Sequence, residues 1–162
     1  MAAPRHEDAF VVFAQRADAR VDADAWNGHA MRFFATRIGL TTEKRYASGQ
    51  AAPRTDEASF VVAPDGGPPG VRSTFARPCE AGDYAHAEAA DARRGGTGLA
   101  ILARRCGMVW LVVREAEPDV LALRLAAIFA SVFLGPILDP RAHELFGVKT
   151  ARAKLESPVH RL

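Results

Sequence analysis

The sequence predicts an α+β protein of the ferredoxin-like type, a split β-α-β sandwich whose antiparallel sheet carries its helices on one face. Two observations support this prediction. Short apolar runs and helical patterns follow one another in the order strand, helix, strand, strand, helix, strand. A stretch rich in proline and glycine, PDGGPPG at 64–70, separates two of the strand patterns and is typical of a hairpin turn.

The first half of the chain supplies a strand and a helix. The apolar run FVVF at 10–13 predicts a buried strand over residues 8–15. A helix is expected at about 23–38, with an aspartate as its N-cap and Gly39 at its end. Its apolar residues fall on one arc of about 140° and should face the core: Trp26, Ala30, Phe33, Phe34 and Ile38.

The middle of the chain supplies the hairpin and a second helical region. The polar segment 41–57 is expected to be a long connection. The hairpin should pair residues 59–64 with 71–77, since both runs have the composition and alternation of strands. Helix-forming residues at 83–94 and again at 99–105 then lead to an apolar strand at 108–114, buried on both faces.

The segment 118–134 predicts a helix that is apolar nearly all round, added to the ferredoxin-like core, with Pro118 at its first position. Arg124 and Ser131 fall on one narrow seam together with Val120 and Ala127. A membrane span is disfavoured, because Arg124 and the Gly135–Pro136 break leave too short an uninterrupted apolar stretch.

Such a helix must be buried from two sides. The second side is either the segment 140–156, predicted to fold back as a last helix, or another subunit, and we favour the subunit. The domain would then span residues 1–138, with 139–162 as a helical extension and loose tail. The expected interface residues are Leu121, Leu125, Ile128, Phe129, Val132 and Phe133.

Composition limits the classes of function. The chain has 162 residues and a formal net charge of only +2. Because its charges of both signs are interspersed, a nucleic-acid partner is not expected. The polar start MAAPRHED is no signal segment, and Cys79 and Cys106 are too far apart for a CxxC unit. A cytoplasmic protein with two reduced thiols is expected, and its richness in Ala and Arg favours a bacterial source.

The best candidate for ligand chemistry is a glycine-rich turn before a helix. Its backbone N–H groups and arginines could hold a phosphate or carboxylate, although it has neither the Walker nor the dinucleotide-binding spacing. The alternative is a simple helix break with Thr97 as N-cap, which we favour. The candidate ligand-binding residues are Arg93, Arg94, Gly95, Gly96, Thr97 and Gly98.

The histidines give weaker signals. Asp83, His86 and Glu88 could bind a metal only with a donor from elsewhere, such as Cys79, so no metal or cofactor is expected. His143 with Glu144 lacks the second histidine of a zinc motif. His29 should lie at the core edge against aromatic side chains of its own helix.

No serine or cysteine lies in a nucleophile-elbow motif, so the sequence offers no motif-level support for acyl transfer and leaves open whether the chain is an enzyme. Two functions remain as expectations. The favoured one is association, as a homo-oligomer or an accessory subunit that binds a protein partner through residues 118–138. The alternative is an enzyme or small-ligand binder that holds an anionic ligand at residues 93–98.

Overall fold

The computed structural model describes residues 4–15, 20–41 and 57–156. These residues form one seven-stranded antiparallel sheet and five α-helices, which confirms the α+β class. The strands are β1 (Ala9–Ala14), β2 (Thr36–Leu40), β3 (Glu57–Pro64), β4 (Gly70–Pro78), β5 (Met108–Val113), β6 (Ile137–Asp139) and β7 (Glu144–Phe146). The helices are α1 (Ala23–Phe34), α2 (Ala81–Arg93), α3 (Leu99–Arg104), α4 (Val120–Phe133) and α5 (Val148–Glu156).

The strand order is β2-β3-β4-β5-β1-β6-β7, and every neighbouring pair is antiparallel. This is not the expected ferredoxin-like order, in which interleaved split β-α-β units make two neighbouring strands parallel. The reason is that β2, β3, β4 and β5 pair in succession as a meander. One split β-α-β unit is present, because β5 and β6 flank β1 and are joined by α4.

Helices cover both faces of the sheet, whereas one covered face was expected. Along β1, Phe10, Val12 and Ala14 belong to a core with residues of α1, α4 and α5. The alternate residues Ala9, Val11 and Phe13 belong to a second core with residues of α2 and α3. All six residues of β1 are therefore buried, as the period of two in a strand requires.

An aromatic cluster holds α4 on the sheet. Phe129 is fully buried and lies 5.4 Å from the Trp26 ring, 5.4 Å from Phe60 and 5.5 Å from Trp110. Phe133 stacks on Trp110 at 5.1 Å. Rings at these separations add pairwise attraction to the burial of their apolar area. The helix is therefore the centre of one layer rather than an addition to a finished core.

Asp119 fixes the start of α4. Its buried carboxylate accepts the backbone N–H of Ala122 at 3.0 Å as the N-cap, and it binds both Nε and Nη2 of Arg72 at 2.8 and 3.0 Å. Burial would raise the pKa of Asp119, but these bonds and the N–H of Glu115 outweigh it and lower the pKa. Pro118, expected at the first helical position, precedes the cap instead.

The second cover of α4 comes from the chain itself. Residues Ala151 and Leu155 of α5 lie in the same core as α4, so the folded-back segment occupies the side that we had assigned to a subunit. Four of the six expected interface residues are at most 1% exposed and are not available to a partner: Leu125, Ile128, Phe129 and Phe133. Leu121 and Val132 are half-buried. Self-association remains a prediction, but its expected interface no longer includes these four residues.

Two boundaries differ from the sequence prediction. Helix α1 ends at Phe34 because Ala35 adopts a left-handed conformation with φ 48°, and Ile38 lies in β2 instead of the helix. Phe33, expected in the core, is 46% exposed. Residues 137–146 form β6 and β7 before α5 begins, so a domain boundary at 138 would cut through β6.

The hairpin prediction is confirmed. Strands β3 and β4 pair in antiparallel register, with Val61 opposite Val71, on either side of the turn. The long connection expected at 41–57 lies almost entirely outside the described residues, as does the loose tail after residue 156.

Replacing Phe129 by Ala should lower the free energy of unfolding by about 3–5 kcal/mol, because it removes the central ring of a fully buried cluster. Urea unfolding followed by tryptophan fluorescence measures this loss. The matched control is Phe33→Ala, which truncates an exposed ring on α1 and should cost less than about 1 kcal/mol. Equal losses in the two variants would contradict the assignment of Phe129 to the core.

Candidate functional site

A groove lies on the α1, α4 and α5 side of the protein, and we call it the arginine groove. It has two compartments that share Phe33, Arg152 and Glu156. The first, of about 810 Å³, is lined further by Met31–Ala35, the turn at 64–68, Val120, Leu121, Arg124 and Leu155. The second, of about 550 Å³, is lined further by His29, Ser131, Val148, Lys149 and Ala153.

The seam that the sequence singled out on α4 faces this groove. Val120 and Arg124 line the first compartment and Ser131 lines the second, while Ala127 between them is fully buried. Val120, Arg124 and Ser131 are half-buried, so neither the sheet nor a neighbouring helix covers this face of α4 completely. Three of the four seam residues therefore contribute to the lining of the groove, as their shared helix face requires.

The lining is more basic than acidic. Its cationic side chains are Arg32, Arg124, Lys149 and Arg152, and its acidic ones are Asp65 and Glu156. In the described part of the chain, none of these four cations forms an ion pair with a carboxylate, although seven other arginines and lysines do. The groove therefore concentrates positive charge that the fold does not neutralise.

Arg124 is the most constrained of these cations. It is half-buried, and its Nη1 donates to the carbonyl oxygen of Phe34 at 3.1 Å and to the hydroxyl of Thr36 at 3.2 Å. Its Nε is buried and has no hydrogen-bond partner among the described residues. Burial lowers the pKa of Arg124, since the charged guanidinium has lost water without gaining a counter-charge.

Arg152 reaches the same place from α5. Its guanidinium carbon lies 4.7 Å from the centre of the Phe34 ring, and its Nε is also buried without a partner in the described chain. Two arginines thus converge on Phe34, one on its carbonyl and one on its ring. Beside them, the exposed side chains of Met31 and Phe33 provide apolar surface within the same compartment.

The second compartment contains a histidine and a serine in direct contact. His29 Nε2 lies 2.7 Å from Ser131 Oγ, and the imidazole packs against Phe33 at 4.7 Å. Burial, followed by the charges of Arg152 and Arg32, lowers the pKa of His29. The imidazole is therefore neutral at pH 7. The predicted packing of His29 on an aromatic neighbour is observed, but its contact with Ser131 was not predicted.

In the glycine-rich turn at 93–98, the anion that accepts hydrogen bonds is a carboxylate of the chain itself. The Asp91 carboxylate accepts hydrogen bonds from the backbone N–H of Thr97 at 2.9 Å, from the Thr97 hydroxyl at 2.5 Å and from the backbone N–H of Ala100 at 3.3 Å. Gly95 and Gly96 donate to backbone carbonyls, and Arg94 pairs with Glu144. Arg93 is exposed. An external anion would therefore have to displace Asp91.

The turn also ends one helix and starts the next, as the helix-break alternative describes. Gly95, Gly96 and Gly98 all have positive φ, and Gly98, rather than Thr97, is the N-cap of α3. Burial would raise the pKa of Asp91, but the hydrogen bonds from Thr97, Ala100 and Gly98 outweigh it and lower the pKa. The carboxylate is thus ionised, buried and fully occupied.

The predicted metal ligands do not come together. Asp83 is bound by both terminal nitrogens of Arg77, and Glu88 by Arg104. His86 stacks on His6 at 4.5 Å, and both line a cavity of about 270 Å³ with His143. Within the described ranges, no group of three or more His, Cys, Asp and Glu side chains is arranged to hold a metal ion.

Cys79 and Cys106 are both free thiols, as predicted, with Cys79 half-buried and Cys106 buried. Burial raises the pKa of Cys106 to about 11, so it remains protonated at neutral pH. Among the helices of the described residues, none is long and apolar enough to cross a membrane.

The arginine groove was not predicted because its residues belong to three helices and the β3–β4 turn, which are distant from one another in the sequence. Arg124 and Ser131 were placed on one seam of α4, which was the available signal. What the sequence could not show is that α1 and α5 pack on either side of that seam. Comparison of the chain with protein-family models, curated proteins and solved structures finds no match.

Replacing Asp91 by Ala should lower the free energy of unfolding by about 2 kcal/mol, since the donors around it would lose a charged acceptor. Chemical denaturation measures this loss. Asp24→Ala removes an exposed carboxylate from the first turn of α1 and should change stability by less than about 0.5 kcal/mol. An Asp91→Ala variant as stable as the parent would show that the turn does not depend on this internal anion.

Stability should fall as the pH drops below about 6.5, the ordinary pKa of an unfolded histidine. Burial lowers the pKa of both His6 and His29 in the folded state, further assisted by His86 and by Arg152 respectively. The unfolded chain then binds more protons than the folded one. Urea midpoints at pH 7.5 and pH 5 should differ less in the double variant H6Q/H29Q than in the parent. His143→Gln, at an exposed position, is the control.

Proposed function

We propose that this protein binds an organic anion, a carboxylate or phosphate attached to an apolar body, in the first compartment of the arginine groove. The observation that carries the proposal is the pair Arg124 and Arg152. Each has a buried Nε without an acceptor, and neither has a carboxylate partner among the described residues. A buried donor without an acceptor costs free energy, which a bound anion would recover.

The rest of the compartment fits the remainder of such a ligand. Its volume is within the usual range for small-molecule sites, which combine apolar walls with a few polar groups that fix orientation. Phe33, Met31 and Leu121 provide the apolar walls, and Arg32 lies over the Phe33 ring at 5.2 Å. This keeps the ligand-binder alternative of the sequence and moves it from residues 93–98 to the groove.

Anilinonaphthalene sulfonate is a suitable probe, because it joins an anionic group to an aromatic body. The parent protein should bind it saturably in low salt, with enhanced fluorescence. Arg152→Gln should raise the dissociation constant about tenfold, the effect of losing one charge-assisted hydrogen bond. Phe33→Ala should weaken binding as well.

The control is Arg105→Gln, which makes the same charge change at an exposed position outside the groove. It should leave binding unchanged, because Arg105 is outside the groove. Both variants lose one positive charge, so a difference in affinity between them cannot come from general attraction of the dye by net charge. Equal weakening in Arg105→Gln and Arg152→Gln would overturn the proposal, as would a parent protein that does not bind the dye.

A further inference from the structure

A second feature of the arginine groove points beyond binding. The hydroxyl of Ser131 and the imidazole of His29 both line the second compartment and are in hydrogen-bond contact at 2.7 Å. Ser131 comes from the last turns of α4 and His29 from the middle of α1, so two separately packed helices fix the pair. A serine hydroxyl hydrogen-bonded to a histidine is the arrangement that activates serine as a nucleophile.

The surroundings of this pair favour the required protonation states. The groups that face His29 are Arg32 on its own helix, Ser131 on α4, and Lys149, Arg152 and Glu156 on α5. Burial and the charges of the two arginines lower the pKa of His29, which favours the neutral imidazole that a general base requires. Phe33 packs against the ring at 4.7 Å.

The same compartment contains positive charge for an oxyanion. Lys149 and Arg152 line it beside Ser131, and neither is neutralised by a carboxylate of the described chain. Cationic groups placed where negative charge develops stabilise the transition state of acyl transfer. Arg152 also lines the first compartment, so the proposed anion site and Ser131 belong to adjoining parts of one groove.

We propose that Ser131 is a nucleophile and His29 its general base, and that the substrate class is an ester whose acid or alcohol part carries a negative charge. This inference rests on the proposed function for its substrate class, and on the contact between Ser131 and His29 for its chemistry.

In the first step, Ser131 Oγ attacks the ester carbonyl carbon while His29 Nε2 takes the hydroxyl proton, and the carbonyl oxygen becomes an oxyanion near Lys149 and Arg152. The intermediate collapses, the bond to the leaving alkoxide breaks, and that oxygen takes the proton from His29. Water then attacks the acyl-serine with His29 again as base. The products are the acid, the alcohol and free Ser131.

The test uses a fluorophosphonate probe, which forms a phosphorus–oxygen bond with an activated serine and loses fluoride. The full-length protein should gain one adduct by intact mass, and peptide mapping should place it on Ser131. The same protein should hydrolyse p-nitrophenyl hemisuccinate. Ser131→Ala should abolish the adduct, and His29→Gln should reduce the rates of labelling and hydrolysis about 100-fold, the usual contribution of a general base.

Ser73→Ala is the control, since Ser73 is a half-buried serine that contacts Ser59 on the neighbouring strand rather than a histidine. It should label and hydrolyse like the parent. The parent protein decides the question even if a variant fails to fold. No adduct, or an adduct on any residue other than Ser131, overturns the nucleophile assignment, and unchanged rates in a folded His29→Gln protein overturn the role of His29.

Dye binding separates the two proposals. In the parent protein, dye binding reports on the first compartment and fluorophosphonate labelling reports on Ser131 in the second, and Ser73→Ala should match the parent in both measurements. A protein that binds the dye through Arg152 but forms no adduct keeps the proposed function and loses this inference. Labelling of Ser131 without dye binding supports the nucleophile and removes the anionic substrate class.

Discussion

The burial of α4 is the constraint on which the rest of this structure depends. A helix that is apolar on nearly every side must be covered on nearly every side, and three different elements provide that cover. The sheet contributes Phe60 and Trp110, α1 contributes Trp26, and α5 contributes Ala151 and Leu155. Strands β6 and β7 bring the chain back across β1 so that α5 can reach this position. The close approach of Gly135 to the backbone of Phe13 is part of that return, because a Cβ there would lie 1.8 Å from the Phe13 carbonyl oxygen.

The proposed function depends on the part of that cover that is incomplete. α1 and α5 pack beside the seam of α4 and bury Ala127, but they leave Val120, Arg124 and Ser131 half-buried, and the arginine groove results. At the start of the same helix, Arg72 is neutralised by the buried carboxylate of Asp119. Arg124 and Arg152 are buried in part and have no such partner among the described residues. A bound anion would supply the missing charge, which links the packing of the core to the proposed binding site.

The glycine-rich turn at 93–98 shows that a local sequence pattern can indicate donors for an anion without indicating which anion they bind. Within residues 93–98, Thr97 donates its backbone N–H and its hydroxyl to a carboxylate. That carboxylate is the buried side chain of Asp91, six residues before Thr97. The turn is therefore a connection between α2 and α3 that provides its own anion. An unoccupied set of donors is needed before a loop of this kind indicates a ligand.

The sequence by itself determined the features that depend on neighbouring residues. These are a strand near 108–114, the hairpin around residues 64–70, an apolar helix near 118–134 and the placement of Arg124 and Ser131 on one face of it, because periodicity and turn composition are local properties. The exact ends of that helix, Val120 and Phe133, were not predicted. The sequence could not determine the strand order, the burial of β1 from both faces, or which element covers α4, since each depends on pairing between distant segments. Ile38 illustrates the limit: its spacing fits the stripe of α1, but pairing with Val62 on β3 places it in a strand. The contact between His29 and Ser131 joins residues 102 positions apart, and only the tertiary structure decides it.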